Sequence, residues 1–266
     1  MTAVNLKNLL IKANKNKYAI AGLVVLGWED AIAYTEAADE TKIPIILQAG
    51  PSCREHTNIS ILGKMFRYLA DQTKTKVCCH LDHGYSIEEC KEAMDNGFTS
   101  VMFDGSRLTL KKNIKISNSI VNIAKKYNVS VEGEVGIVGY YKNKVSLGTN
   151  LKDAINYSKN SGVDAMAISV GNTHLQLNKI ANIDINKILL IEQNTNIPLV
   201  LHGSSGIPYI LRKKIARKTN VAKFNIGTEL RMTFGQSVRK TLSKNKKIYD
   251  RLEILKPSIN ILKRKT

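Results

Sequence analysis

Acidic side chains are scarce in this 266-residue sequence: 22 Asp and Glu stand against 40 Lys and Arg, a net charge of +18. Aromatics are sparse too, at 6% with one tryptophan, and they do not interleave with the densest basic stretches. Those stretches are Arg212-Lys213-Lys214, residues 244–247 and Lys263-Arg264-Lys265. Without rings for bases to stack on, the charge does not point to nucleic acid. It makes a field that draws in a small anionic substrate. No apolar run approaches the length of a membrane span. The N-terminus, Met1-Thr2-Ala3-Val4-Asn5-Leu6-Lys7, lacks the apolar core and cleavage site of a signal peptide, so a cytoplasmic protein is expected. The four cysteines, Cys53, Cys78, Cys79 and Cys90, have no zinc-ribbon spacing. Cys78 and Cys79 are adjacent in a predicted strand and point to opposite faces, so reduced, mostly buried thiols are expected.

Hydrophobic periodicity gives a repeating strand-then-helix order. Strands are predicted at 18–26, 43–49, 77–82, 100–104, 129–135, 165–170, 198–202 and 222–226. Several are near-continuous apolar runs, as strands covered on both faces should be. Amphipathic segments lie between them, at 87–94 and 114–127 for example. Eight such repeats without a charged linker predict an α/β fold of one domain over 1–266, a closed (β/α)8 TIM barrel. The alternative, a doubly wound open sheet, fits less well, because no Gly-rich dinucleotide fingerprint follows the first strand.

The upstream strand ends are chemically plain, whereas the downstream ends carry the reactive side chains. Three of the five histidines, His83, His174 and His202, stand where hydrophobic runs end. Imidazoles on three different strands meet only if the strand ends converge, as they do at a barrel mouth. Three neutral nitrogens with an open fourth position are the usual cradle of a catalytic zinc. Asp82 precedes His83; beside a metal its carboxylate can move protons on substrate oxygens, or it can orient a ligand. Asp104 and Glu134 can hold a second metal position, orient the imidazoles or cap loops. His56 and His80 read as ordinary, His80 being structurally bonded inside its strand.

Two downstream loops look suited to phosphate. One is Gly203-Ser204-Ser205-Gly206 after the seventh strand; the other is Asn225-Ile226-Gly227-Thr228 after the eighth, ahead of a helix starting near Glu229. Small residues let backbone N–H groups approach an oxyanion, and a helix N-terminus adds a favourable dipole. Loops seven and eight are the usual phosphate site of such barrels. A metal beside a phosphate cradle suggests a sugar phosphate whose carbonyl meets the metal.

These motifs, in this order, resemble the class II, metal-dependent ketose-bisphosphate aldolases. The matching stretches are Leu81-Asp82-His83-Gly84, Met102-Phe103-Asp104-Gly105-Ser106, Val131-Glu132-Gly133-Glu134-Val135-Gly136, Leu199-Val200-Leu201-His202-Gly203-Ser204-Ser205-Gly206 and Phe224-Asn225-Ile226-Gly227-Thr228-Glu229-Leu230. The resemblance implies His83, His174 and His202 as ligands of one catalytic Zn2+, and Asp82 as acid/base. It also implies Asp104 and Glu134 as positions for a second divalent or monovalent cation. Gly203, Ser204, Ser205, Asn225, Ile226, Gly227 and Thr228 would cradle dihydroxyacetone phosphate. The implied activity is reversible cleavage of a phosphorylated ketose, by default fructose 1,6-bisphosphate, by a homo-oligomer (dimer or tetramer). A Schiff-base route needs a lysine at the mouth; strand 165–170 has none, and Lys223 lies near the start of its strand.

The sequence also departs from the family. Family members commonly end the first strand in Ala-Phe-Asn, whose Asn contacts substrate; here it reads Gly22-Leu23-Val24. A Gly usually follows the second zinc histidine, where this chain has Leu175, expected on a wall of the phosphate site. The loop after Gly136 is often acidic, yet residues 137–144 carry no carboxylate. The tail after Ile261 reads as shorter than usual. Two other readings stay open. One is a metal-dependent barrel hydrolase, against which the first strand's lack of a His-x-His pair counts. The other is a metal-binding barrel that has lost turnover and serves as a basic interaction protein.

Overall fold

A computed structural model describes residues 2–140 and 147–266. Eight strands form a closed parallel barrel in sequence order. They are β1 (Ile20–Val24), β2 (Ile45–Ala49), β3 (Val77–Gly84), β4 (Ser100–Phe103), β5 (Ser130–Val135), β6 (Ala165–Ile168), β7 (Leu199–Leu201) and β8 (Val221–Ile226). Pairing of β1 with β8, with Gly22 opposite Asn225, closes the ring and rules out the open sheet. All eight predicted strands are present. The longer predicted ranges overran at the ends, where apolar residues continue into turns.

The helices are α1 (Leu6–Lys15), α2 (Trp28–Thr41), α3 (Pro51–His56), α4 (Ile59–Gln72), α5 (Ile87–Asp95) and α6 (Leu110–Tyr127). Then come α7 (Leu151–Asn160), α8 (Ile185–Asn194), α9 (Tyr209–Lys218), α10 (Thr228–Lys244), α11 (Arg251–Leu255) and α12 (Pro257–Lys265). None of the described helices is long and apolar enough to cross a membrane.

Strand alternation splits the core in two. Outward residues such as Leu47, Cys79, Val101 and Leu201 pack under the helices. Inward residues Ile20, Ile46, Cys78, Ala167 and Val200 fill the lower lumen, and α1 closes it from below with Leu6, Leu9, Leu10 and Ala13. Cys78 and Cys79 thus fall in different layers, and all four cysteines are free and buried. Burial of this kind contributes about 25 cal/mol per Å² of apolar surface removed from water, which holds the lower barrel rigid. Above that layer the lumen turns polar. Gln48, His80, Glu132 and Lys223 are all fully buried there, directly under the downstream mouth.

Candidate active site

The three histidines converge. His83 ends β3, His174 lies beyond β6 and His202 follows β7, and their ring centroids are 4.7–5.8 Å apart. One nitrogen from each lies within 4.8 Å of the others. His83 Nε2 and His202 Nδ1 are 3.1 Å apart. Two nitrogens on one tetrahedral zinc, each bonded at about 2.0–2.1 Å, stand about 3.3 Å apart, so the pair is spaced for a shared ion.

The opposite nitrogens are held by carboxylates. Asp104 Oδ2 is 2.8 Å from His83 Nδ1, and Glu132 Oε1 is 2.9 Å from His202 Nε2. Each contact keeps the proton on the outer nitrogen and turns the other lone pair inward, as metal-ligating imidazoles require. Asp104 therefore orients His83 here. It also lies, with His83 and Glu134, in a second group whose donor atoms fall within 4.8 Å of one another. Glu134 is nearly fully buried, and its Oε2 has no hydrogen-bond partner, although His202 Nδ1 is 3.5 Å away. Burial, then the neighbouring Asp104 charge, pushes the Glu134 carboxyl up to about 8.

The field of the pocket favours a cation. Burial opposes a charged His83, yet Asp82 and the Asp104 hydrogen bond outweigh it and raise that imidazole to about 10. His174 goes the other way: burial, followed by its two histidine neighbours, lowers it to about 3, leaving the neutral ring a metal needs. Burial would raise Asp82, but His83, His202 and Lys223 hold its carboxyl well below the usual range. The donor set, its spacing and its charge fit a divalent ion such as Zn2+.

Asp82 and His83 both enter the mouth although they are neighbours on one strand. His83 takes a left-handed conformation, φ +53°, and the β3–β4 register shifts between Leu81 and Gly84. Arg54 of α3 pins this bend from behind: its Nη1 donates to the carbonyls of Ala49 (2.8 Å) and Asp82 (2.6 Å), and Nη2 to that of His83 (2.8 Å). Glu89 in turn accepts from Arg54 Nε at 2.8 Å. Asp82 accepts from Asn225 Nδ2 at 3.1 Å.

The two predicted phosphate loops meet each other. Ser205 Oγ accepts from the backbone N–H groups of Gly227 and Glu229, both at 3.2 Å. Ser204 Oγ donates to the Leu201 carbonyl at 2.7 Å. Both hydroxyls therefore brace the loops. Gly203 adopts φ +61°, and a Cβ there would stand 2.2 Å from the Thr173 carbonyl, so only glycine lets this loop lie against the His174 loop. Thr228 opens α10 with Gly227 as its cap, which points the helix N-terminus at the mouth. The Ile226 side chain, with Phe224, lines a cavity of about 590 Å³ between α9 and α10 outside the barrel, so the cradle expected here would use its backbone. Leu175 is half-exposed and left-handed, φ +55°, directly after His174. The 137–144 loop is described as far as Tyr140, whose ring stacks 5.1 Å from that of His174; residues 141–144 lie outside the described residues.

Several residues escaped the sequence reading. Lys223 is the third residue of β8, yet its Nζ reaches into the lumen, 2.7 Å from Glu132 Oε2 and 3.1 Å from His80 Nε2. Position along the strand understated its reach. It is already bound to Glu132, and so it supports His202 from below. His80 is structurally bonded as expected, its Nδ1 lying 2.8 Å from Ser100 Oγ. Arg231, on the first turn of α10, lines a cavity of about 360 Å³ with Val24, Asp30, Tyr34 and Phe234. Its Nε is buried without a partner, and Nη2 is 3.4 Å from Ser52 Oγ. The signal available in the sequence was a buried-type lysine inside an apolar strand and an arginine one turn past Gly227.

Comparison with known proteins gives the same answer as the geometry. The family model for fructose-bisphosphate aldolase class-II matches residues 4–266. A 6-phospho-5-dehydro-2-deoxy-D-gluconate aldolase of Halalkalibacterium halodurans is 34% identical, over 97% of this chain and 91% of its own. A fructose-bisphosphate aldolase of Geobacillus stearothermophilus is 32% identical, over 99% of this chain and 94% of its own. The crystal structure of the YdjI aldolase from Escherichia coli superposes with a TM-score of 0.87 at 25% identity, covering 99% of this chain and 94% of that one. The chain belongs to the class II fructose-bisphosphate aldolase family and is a carbon–carbon lyase.

Proposed function

We propose that this protein reversibly cleaves a phosphorylated ketose between C3 and C4, giving dihydroxyacetone phosphate and an aldehyde, with fructose 1,6-bisphosphate as the default substrate. The observation that carries the reading is the convergence of three imidazole nitrogens within 4.8 Å at the mouth, beside Asp82. His83, His174 and His202 would hold a Zn2+ ion, whose Lewis acidity would stabilise negative charge on the ketone side. Asp82 takes the C4 hydroxyl proton during cleavage and returns it during condensation. Its depressed pKa keeps it ionised and ready to accept that proton. Asn225 holds the carboxylate in place, and Asp104 and Glu132 fix the imidazoles. The backbone around Gly203 and the helix N-terminus at Thr228 would bind the phosphate next to the ketone.

The relatives' names support two substrates of one pattern: a ketone beside a phosphorylated carbon, and a second anion at the far end. That anion is a phosphate in fructose 1,6-bisphosphate and a carboxylate in 6-phospho-5-dehydro-2-deoxygluconate. The test is incubation of zinc-loaded protein with both compounds and with tagatose 1,6-bisphosphate, following triose-phosphate release with and without chelator. Chelator-sensitive release supports the proposal; metal binding without turnover across the panel refutes it.

A further inference from the structure

Three buried polar atoms without partners lie together under the acid/base. They are Gln48 Oε1, Gln48 Nε2 and Asn225 Oδ1. Gln48 is completely buried and Asn225 almost so. Buried amides in folded proteins are nearly always paired, and orphans concentrated at one place call for a cause. Gly22 supplies the geometry. A Cβ built on Gly22 would stand 1.8 Å from Gln48 Oε1 and 3.0 Å from Asn225 Oδ1. The two oxygens therefore share the space left by the missing side chain of β1. Two acceptors facing each other repel, but a half-turn of a carboxamide exchanges its oxygen and nitrogen without changing its shape. That turn sets the Gln48 NH2 against Asn225 Oδ1.

We infer that Gln48 is a positioning residue: its amide donates to Asn225 Oδ1 and so fixes Asn225 with its NH2 toward Asp82. The inference rests on the aldolase reading of Asp82 given above. Asn225 is itself an amide with two nearly equivalent orientations. Turned the wrong way, it presents an oxygen to the Asp82 carboxylate and pushes it aside. A donor from Gln48 is compatible only with the orientation in which Asn225 Nδ2 reaches Asp82 Oδ1, at 3.1 Å. The lumen then carries two separate supports. One runs Ser100, His80, Lys223, Glu132, His202 and ends on the metal site. The other runs Gln48, Asn225, Asp82 and ends on the acid/base. Among the described residues no hydrogen bond joins the two.

The test uses Gln48→Met, which keeps the length of the side chain and removes both amide groups. Gly22→Ala displaces the same amide without altering Gln48. Zinc content should match the unsubstituted protein, because the metal support is untouched. Cleavage of the accepted ketose should fall in kcat by roughly tenfold to a hundredfold with KM within about twofold. Exchange of the C3 proton of dihydroxyacetone phosphate with solvent, which makes no use of the C4 hydroxyl, should be retained. A crystal structure of zinc-loaded Gln48→Met should show Asn225 no longer donating to Asp82. Unchanged cleavage, an equal fall in exchange and cleavage, or an intact Asn225–Asp82 contact in that crystal would overturn the inference. If the unsubstituted protein cleaves no sugar phosphate, the aldolase reading fails, and the crystal contact still decides the role of Gln48. Should Gly22→Ala not fold, Gln48→Met alone gives each of these readouts.

Discussion

Asp82 and His83 are consecutive in β3, yet one faces Asn225 and the other faces His174 and His202 across the same mouth. An extended strand would send them to opposite faces. The left-handed turn at His83, held by Arg54 on the carbonyls of both residues, brings the proposed acid/base and a proposed metal ligand together. The division of labour between them can be tested directly. Asp82→Ala should keep stoichiometric zinc by elemental analysis and lose roughly a hundredfold to ten-thousandfold in cleavage. Unchanged turnover would remove Asp82 from its role.

Lys223 and Glu132 form a fully buried ion pair at 2.7 Å. Breaking such a pair from one side leaves an uncompensated charge, so Lys223→Met should destabilise by about 3–5 kcal/mol in urea unfolding. Adding Glu132→Gln should recover part of that loss, making the double variant milder than the sum of the two. Glu132→Gln alone should weaken zinc binding by about 10–100-fold, since it removes the carboxylate charge behind the His202 ring. Full additivity in the cycle would show that the pair is not coupled.

Removing the metal should expose how much of the mouth depends on it. With zinc at about a thousand times its Kd, the bound ion contributes about 4 kcal/mol. In a chain of this length that corresponds to a Tm drop on the order of 10 °C with chelator. His83→Ala should show no chelator-dependent shift in differential scanning calorimetry.

Asp30 sits outside the metal site, and its carboxyl is raised from 3.8 to about 6, chiefly by burial, against the Leu26 and Gly27 N–H groups that lower it. Because the folded-state pKa is the higher one, the neutral form favours folding. That contribution is complete below about pH 4 and is lost as pH rises to about 6, up to about 3 kcal/mol. Asp30→Asn keeps an oxygen for the Leu26 N–H, 2.8 Å away in the native site, and cannot ionise. The variant's stability relative to the native chain should therefore grow between pH 4 and 6 and level off above. A difference that stays flat across that range would contradict the assignment.

Leu175 holds φ +55°, a conformation that costs a side-chain-bearing residue about 1–2 kcal/mol. Leu175→Gly relieves that strain while adding freedom to the unfolded chain, so stability should change by less than about 1 kcal/mol. On the expectation that Leu175 lines the phosphate site, KM for the phosphorylated substrate should move while zinc content does not. A loss of several kcal/mol on denaturation would place Leu175 in packing instead.

The barrel was legible because its cause is local. Near-continuous apolar runs such as Ile45-Ile46-Leu47 and Val77-Cys78-Cys79 need cover on both faces, and eight of them alternating with amphipathic segments leave few arrangements. The histidines and Asp82 were legible because reactive residues at downstream strand ends gather at one mouth in any such fold. Residue type and order along the chain determined that much. What the sequence could not decide was which inward side chains touch. Lys223 and Glu132 are 91 positions apart, and Gln48 and Asn225 farther still. Their pairing depends on strand stagger and on an empty place at Gly22, properties that exist only once the sheet has closed. The same holds for the bend at His83, which no local preference favours and which stands because Arg54, arriving from another element, satisfies the carbonyls that the bend exposes.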